Sequence, residues 1–288
     1  TYLQMAEDGF RAGDRAYPIA SPLRSNDRFN MKNCQLFDGL PTWRPIMLDT
    51  PEAKLAAFRD PAVRARLRDD AVTATYETTF SRRWDMLFVT VPALPSNQAL
   101  KGKSIAQIAG ERAVDVLDTF LDLVVEENLE TGFEINLRNG DDEAVATFLA
   151  SPYTLVGLSD AGAHVVFDAG YGYSTRLLGY WVREKGALTL EEAVRKLTFM
   201  TAQVYGIFDR GLLQPGYAAD LVAFDPKTVA AREPEVEHDL PGGGQRLIQR
   251  ADGIACTVVN GQVLVEDGKP SGALPGRVLR NSRYMHSR

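Results

Sequence analysis

The spacing of apolar residues changes its period near residue 207, and this change constrains the fold more than any other feature of the sequence. Before it, apolar runs such as DMLFVTVPAL (85–94) and TLVGLSD (154–160) alternate with amphipathic segments. That alternation is typical of α/β proteins with a parallel open sheet or barrel. After it, GIACTVVNGQVLVEDGKP (253–270) alternates with a period of two between Asn-Gly and Asp-Gly dipeptides, which predicts antiparallel strands. We therefore expect two parts, residues 1–207 and 208–288.

Capping residues mark the predicted helices of the first part. A Ser, Thr or Asp side chain can accept a hydrogen bond from the first turn, Pro fits the first helical position, and Gln or Glu three residues later completes a capping box. The predicted helix starts are Thr50-Pro51, Asp60-Pro61, Ser104 with Gln107, Asp141, and Thr189 with Glu192. One helix in 111–128 should carry an apolar stripe of Val114, Leu117, Leu121 and Val125. Gly206 is expected just beyond the end of the last helix.

Residues 1–50 are rich in Pro, Gly, Asn and aromatic side chains, which indicates irregular loops with short strands. IMLD (46–49) is one candidate strand. Such loops either line a pocket or form ordered surface, and the composition favours neither. The chain begins with Thr1 rather than Met. We interpret this start as a processing boundary or as the surviving part of a longer protein.

Composition excludes some classes of function. The net charge of −6 over 288 residues argues against a nucleic-acid surface. No run of about 18 apolar residues indicates a membrane span, and no signal peptide is visible at the start. Cys34 and Cys256 lie far apart and are expected to be free thiols. These features predict a cytoplasmic protein with neither a nucleic-acid nor a membrane partner.

The most informative short stretch is GLSDAGAHVVFDAG (157–170), where Asp160 follows an apolar run. At the carboxyl end of a barrel strand, such a carboxylate can bind a metal and transfer a proton. By itself, such a stretch is more often an Asx turn or cap, and a single histidine such as His164 is more often a hydrogen-bonded structural residue than a ligand. The three histidines, at positions 164, 238 and 286, are not spaced for a self-contained zinc site.

The sequence downstream of Asp160 carries a family resemblance. SDAGAH is followed by the helix TLEEAVRKLT, by DRGLLQPGYAADLVAFDP (209–226) and by VVNGQVLVEDGKPSGALPGRVLR (258–280). This succession resembles the amidohydrolase superfamily, and within it the N-acyl-D-amino-acid deacylase (D-aminoacylase) group. The resemblance covers residues 153–280 nearly continuously. Upstream, YPIASP (17–22) and KGKSIAQIA (101–109) are similar to further segments of the group.

The resemblance implies the C-terminal part of a (β/α)8 TIM-type metallo-hydrolase barrel plus a small β-sandwich. It implies a hydrolase of non-peptide C–N bonds, such as those of N-acyl-D-amino acids, with one or two divalent metals, usually zinc. Asp160 takes the position of a metal ligand that is also the general base and then the acid. The other metal ligands should lie mostly outside this chain, in an N-terminal half or partner chain. The residues assigned to substrate binding are His164, Arg176, Tyr17 and Ser21.

The loop after Asp160 departs from the pattern of the group. Members usually show SDG followed by a His-Pro and Pro-Arg stretch, whereas this chain has Tyr171, Tyr173 and Arg176 there. Arg176 can pair with a substrate carboxylate, or it can start the next helix and face solvent. His164 can orient the Asp160 carboxylate or contact the substrate.

Two alternatives remain at this point. The chain can be a catalytically silent fragment, or an α/β carbohydrate or nucleotide enzyme outside the superfamily. The second has little support, because neither a GxGxxG after a strand nor a GxxxxGK[ST] occurs. A partial barrel would leave strand edges unpaired, so we expect the isolated chain to form an oligomer or a hetero-assembly.

Overall fold

The structure is a computed structural model that describes residues 2–73, 78–159, 161, 162, 165 and 170–281. These residues form two compact units. One unit contains the chain up to Leu23 and again from Asp141 onward, and the other contains Arg24–Gly140. The second unit is therefore an insertion in the chain of the first, and the expected boundary at residue 207 falls within the first unit.

The first unit begins with a helix, α1 (Tyr2–Arg11), where an irregular segment was expected, so that expectation is wrong for these residues. The helix buries no residue fully, and pairs one turn apart, Gln4–Asp8 and Arg11–Glu7, support it. A short strand, β1 (Ile19–Ala20), follows. The apolar residues Leu3, Ala6 and Phe10 of α1 recur at helical spacing, and this signal was outweighed by the loop-like composition of the residues that follow.

The second unit combines one sheet with several short helices. Its elements in chain order are β2 (Ser25–Phe29), α2 (Trp43–Met47), α3 (Pro51–Arg59), α4 (Pro61–Arg68), β3 (Leu87–Val91), α5 (Ile105–Arg112), α6 (Val116–Glu126) and β4 (Gly132–Arg138). The predicted caps of α3, α4 and α5 are confirmed, including the complete capping box of Ser104 and Gln107. The predicted IMLD strand is wrong: Ile46 and Met47 belong to α2, which buries Trp43 and Met47 four residues apart on one face.

The predicted stripe on α6 is wrong at its first position. Ala113 adopts a left-handed conformation that ends α5, and the Asp115 side chain caps α6 by accepting from the backbone of Leu117 and Asp118. Val114 therefore lies between the two helices and is exposed. Leu117 and Leu121 are buried as predicted.

The sheet of the second unit has the order β2-β4-β3, and both of its strand pairs are antiparallel. The parallel arrangement predicted from strand–helix alternation is therefore wrong in this unit. A single crossover helix returns the chain in its original direction, whereas two helices, α5 and α6, separate β3 from β4. An aromatic cluster packs against this sheet. Phe37 stacks on Trp43 with ring centroids 4.3 Å apart, and Phe120 lies 5.0 Å from Phe133.

A buried carboxylate, Glu127, joins three segments of the second unit. One carboxylate oxygen accepts from the backbone N–H of Ala93 (2.8 Å) and the Thr131 hydroxyl (2.7 Å). The other accepts from the backbone N–H of Leu94 (3.1 Å) and the Asn97 amide (2.9 Å). Burial by itself raises the pKa of Glu127, but these four donors outweigh it and hold the pKa below its ordinary value.

After the insertion, the first unit continues with α7 (Asp142–Ala150), β5 (Leu155–Val156), α8 (Tyr173–Arg176), α9 (Leu190–Arg195) and α10 (Thr201–Val204). Wide π-type turns extend α8 through Leu177–Glu184 and join α9 to α10. The predicted N-caps are present: the Asp141 side chain accepts from the backbone N–H groups of Glu143 and Ala144, and the Thr189 side chain accepts from that of Glu192, which is one half of the predicted capping box. Gly206 follows the last helix with φ of 72°, as expected. The core of this part includes Val145, Leu149, Leu177, Trp181 and Val229.

The remaining strands confirm the predicted antiparallel tail. They are β6 (Leu221–Phe224), β7 (Ala230–Ala231), β8 (Glu235–Leu240), β9 (Gly244–Ile248), β10 (Ala251–Asp252), β11 (Ile254–Val259), β12 (Gln262–Glu266) and β13 (Lys269–Pro270). A four-stranded sheet has the order β13-β12-β11-β6, and β8 pairs with β9 as a hairpin. Asn260-Gly261 and Asp267-Gly268 form the predicted turns, and all four residues have positive φ. Among the helices of the described segments, none has the length and apolar composition needed to cross a membrane.

Replacement of the buried carboxylate tests the Glu127 junction. We expect Glu127→Gln to lower the free energy of unfolding by about 2–4 kcal/mol at pH 7, because the amide turns an NH2 group toward two donors. The pKa of Glu127 is depressed in the folded state, so its stabilisation is present at neutral pH and is lost as pH falls through the folded pKa. Urea titrations at pH 7 and below about pH 4 should show the difference between wild type and variant shrinking in acid. The exposed neighbour Glu126, changed to Gln, is the control; an equal loss there would contradict the assignment.

Candidate functional site

Two parallel strands end at the same edge in the first unit. Ile19 pairs with Leu155 and Ala20 pairs with Val156 in parallel register. The chain leaves β1 at Ser21 and leaves β5 toward Ser159, and the carboxyl ends of parallel strands lie at one edge of a sheet. Asp160 comes next in the sequence. Asp160 and His164 both lie outside the described residues.

The segment YPIASP places its two predicted substrate residues at opposite ends of β1. Tyr17 precedes the strand, is half-buried, and packs edge-on against Phe10 of α1 with ring centroids 4.7 Å apart. Ser21 follows the strand, and its hydroxyl accepts from the Leu23 backbone N–H at 3.3 Å. Four residues of extended chain span roughly 13 Å. Of this pair, the structure brings only Ser21 to the strand end that precedes Asp160.

The carbonyl oxygen of Pro22 fixes the segment that follows Ser21. It accepts from the Trp181 indole N–H at 2.8 Å and from Nε of Arg176 at 3.2 Å. The Arg176 guanidinium also lies 4.2 Å from the centre of the Tyr180 ring. Arg176 is the last residue of α8 and is half-buried. Its bond to Pro22 directs the side chain toward the carboxyl end of β1. The helix expected at this position is present, but its arginine does not simply face solvent.

The two arms of the loop after β5 approach each other closely. A Cβ atom on Gly170 would lie 1.8 Å from the carbonyl oxygen of Ser159. No side chain fits at that distance, so Gly170 is required by the packing of the backbone. The Ser159 hydroxyl accepts from the Ala161 backbone N–H at 3.2 Å and forms a local turn. The entry to this loop is thus held tightly at both arms.

Sequence reasoning missed Lys196, which holds the turn before β5. Its side chain is buried, and Nζ donates to the carbonyl oxygens of Ser151 (2.6 Å) and Thr154 (3.0 Å). Burial, together with the nearby positive charge of Arg195, lowers the pKa of Lys196 to about 8 against the weaker effect of Glu192. The signal was its spacing, since Lys196 lies three residues after Ala193 and four before Met200, which are both buried.

The described residues do not supply a zinc site. Among them, no group of three His, Cys, Asp or Glu side chains is placed to hold a metal ion. His238 is exposed on β8. The thiols of Cys34 and Cys256 are free as expected, and burial raises the pKa of Cys34 to about 12, which disfavours the thiolate that a metal needs.

Lys196 provides a test of the turn before β5 by pH. Since the pKa of Lys196 is lowered in the folded state, the protonated form costs stability below about pH 8, and this cost is relieved as pH rises. Relative to Lys196→Met, we expect the wild-type free energy of unfolding to increase by about 1 kcal/mol per pH unit between pH 8 and 10. Denaturant titrations across this range measure it. The control is Lys227→Met at an exposed position, for which the difference in free energy of unfolding from wild type should not change with pH. If the difference between wild type and Lys196→Met were also constant over this range, the burial argument would be refuted.

A second test uses two glycines. We expect Gly170→Ala to lower the free energy of unfolding by about 2–4 kcal/mol, because its Cβ would displace the Ser159 carbonyl. The matched change is Gly110→Ala in α5, where a Cβ would meet no atom within 4 Å. That variant should gain about 0.5–1 kcal/mol from helix propensity. Thermal and urea unfolding of both proteins decide the matter, and a neutral Gly170→Ala would mean that the loop arms are not so close.

Comparison with known proteins identifies the relatives of this chain. Residues 54–265 match the model of the amidohydrolase family. D-aminoacylase of Alcaligenes xylosoxydans xylosoxydans is 35% identical over 182 residues, covering 62% of this chain and 34% of that enzyme. N-acyl-D-aspartate deacylase of the same organism is 42% identical over 145 residues, covering 48% of this chain and 26% of that enzyme.

A solved structure shares the fold. N-acyl-D-glutamate deacylase from Bordetella bronchiseptica, complexed with zinc and a phosphonate inhibitor, superposes with a TM-score of 0.50 at 24% identity. The match covers 96% of this chain and 45% of that one. The chain thus has a mixed α/β fold and spans between about a quarter and a third of the length of the curated relatives quoted above. An origin outside the superfamily is excluded, and the chain belongs to the amidohydrolase family.

Proposed function

We propose that this chain is part of a metal-dependent hydrolase that cleaves the amide bonds of small N-acyl amines, including N-acyl-D-amino acids. The observation that carries the proposal is the family match, which extends from residue 54 to residue 265. The names of two relatives, D-aminoacylase and N-acyl-D-aspartate deacylase, indicate that these enzymes cleave non-peptide C–N bonds. The chain spans only part of their length, and the proposal includes an N-terminal half or partner chain that supplies the other metal ligands.

Asp160 is the proton-transferring carboxylate in this proposal. The parallel pair β1–β5 supports it, because both strands lead to the edge where Ser21 and Ser159 leave the sheet. A carboxylate that follows a strand at this edge is well placed to take a proton from attacking water and return it to the leaving amine. In the sequence, Asp160 directly follows Ser159, whose carbonyl oxygen approaches Gly170 closely.

The architecture proposed for the whole enzyme is a (β/α)8 barrel beside a small β-sandwich. Residues 1–207 contribute the barrel part, with β1 and β5 as two of its parallel strands, and 208–288 contribute the sandwich strands. The antiparallel order β13-β12-β11-β6 supports the second assignment. A cytoplasmic location stays a prediction.

The metal of the proposed enzyme is zinc, as one or two ions, held mostly by residues outside this chain together with Asp160. Zinc in the related N-acyl-D-glutamate deacylase structure supports this choice. For substrate binding, Arg176 is the candidate partner of a substrate carboxylate, which suits the bidentate geometry of guanidinium. His164, Tyr17 and Ser21 complete the proposed contacts, and Ser21 has the strongest support from its place at the strand end.

An Asp160→Asn exchange tests the central residue of the proposal. In the full-length protein with its N-terminal half, loaded with zinc, kcat for N-acetyl-D-aspartate, N-acetyl-D-glutamate and N-acetyl-D-alanine should fall by about 10²–10⁴, the usual contribution of a positioned acid or base. Release of the free amino acid measures turnover, and elemental analysis measures zinc. The L-isomers should react more slowly than the D-isomers.

The matched control is Asp267→Asn, at a turn where φ is 46° and Asn is tolerated as readily as Asp. This variant should keep full activity. If the assembly bound no zinc and Asp160→Asn left its turnover unchanged, the proposal would be wrong. The chain would then be a catalytically silent fragment.

A further inference from the structure

The polar segment between β6 and β11, residues 225–253, contacts the start of the helix that carries Arg176. Gln249, just after β9, accepts from the Gly172 backbone N–H at 2.7 Å through its side-chain oxygen. Its amide NH2 donates to the carbonyl oxygen of Arg232 at 2.9 Å. One half-buried side chain therefore joins the helix start to the segment after β7.

A second contact from the polar segment 225–253 is made to Val165, upstream of this helix. The backbone N–H of Leu247 in β9 donates to the carbonyl oxygen of Val165 at 2.7 Å, and the Leu247 side chain is buried. Residues 247 and 249 thus contact Val165 and Gly172, which precede Tyr173 and Arg176 in α8. The polar segment 225–253 is therefore bound to the start of α8 and to Val165 by one side-chain and one main-chain hydrogen bond.

Gly172 has no side chain with which to cap α8, although it occupies the N-cap position. A Cβ atom there would lie 2.7 Å from both Ala231 Cβ and the Gln249 side-chain oxygen. The N–H groups of a first helical turn need acceptors from outside the helix. Gln249 supplies one of them from 77 residues away along the chain.

We propose that Gln249 is a positioning residue, which fixes the start of α8 and thereby orients Arg176 and the Ser21–Pro22 segment. The connection is continuous: Gln249 holds Gly172, α8 carries Arg176, and Arg176 donates to Pro22 at the end of β1. The inference rests on the proposed function, in which Arg176 and Ser21 contact the substrate. Gln249 acts on substrate binding rather than on the bond that breaks.

Three variants separate the roles of the Gln249 side chain. Gln249→Met keeps its length but removes both the acceptor and the donor. Gln249→Glu keeps an acceptor for the Gly172 N–H and loses the donor to Arg232, so it should rescue the helix start. The matched control is Gln245→Met, on an exposed residue of the same hairpin.

The measurements are steady-state kinetics with N-acetyl-D-aspartate and backbone hydrogen exchange at the start of α8, both on the zinc-loaded full-length protein. For Gln249→Met we expect KM to rise about tenfold with kcat within about twofold, because ground-state and transition-state binding weaken together. Exchange at Gly172 should accelerate by a similar factor. Gln249→Glu should return both values to near wild type, and Gln245→Met should change neither.

The outcomes distinguish the inference from the function on which it rests. No turnover by the wild type overturns both. Turnover with unchanged exchange in Gln249→Met overturns only the role of Gln249, as does faster exchange with an unchanged KM, since Gln249 would then be structural. Should Gln249→Met fail to fold, Gln249→Glu decides: a wild-type KM supports the acceptor role, and a tenfold increase overturns it.

Discussion

The pairing of β1 with β5 is the interaction on which the candidate site depends. Only two residue pairs form it, flanked by hydrogen bonds from Leu155 to Pro18 (2.9 Å) and from Gly157 to Ala20 (3.1 Å). It joins parts of the chain separated by the whole insertion, so the folding of the first unit must close a very long loop. Because so short a ladder adds little by itself, the segments that flank it need anchors of their own.

Those anchors are side chains that bind main-chain atoms. Lys196 binds two carbonyl oxygens in the turn before β5, and Trp181 and Arg176 bind the Pro22 carbonyl after β1. Gly170 contributes by its lack of a side chain, which allows its backbone to approach the Ser159 carbonyl. Glu127 binds N–H groups in the second unit. A buried charge is expensive unless it is fully hydrogen-bonded. The four donors around Glu127 meet that condition and lower its pKa, whereas the two carbonyl oxygens at Lys196 offset the cost of burial only in part, so its pKa is lowered to about 8.

Features with local causes could be predicted from the sequence. The caps at Thr50, Asp60 and Ser104 follow from side chains that bond within their own first turn, and the turn at Asn260-Gly261 follows from residues that tolerate positive φ. Strand direction could not be predicted in the same way: β3 and β4 have ordinary strand patterns, and only their tertiary pairing makes them antiparallel. Asp160 was predicted through the resemblance of the residues that follow it. The helical spacing of Lys196 indicates that it is buried but not which carbonyl oxygens it binds, and no local pattern records the contacts of Gln249.

Anchoring through main-chain atoms has a consequence for how the site can vary. When Pro22, Ser151, Thr154 and Gly172 are held by their carbonyl or N–H groups, the neighbouring side chains are free to change without moving the backbone that presents them. The segment DAGYGYSTR differs in sequence from the His-Pro and Pro-Arg stretch that the deacylase group usually has there. A fixed frame with exchangeable side chains suits a family whose relatives are named for different acyl amino acids. In the function proposed above, substrate preference depends on Arg176 and the tyrosines beside it, while the geometry of the strand ends depends on residues far from them in sequence.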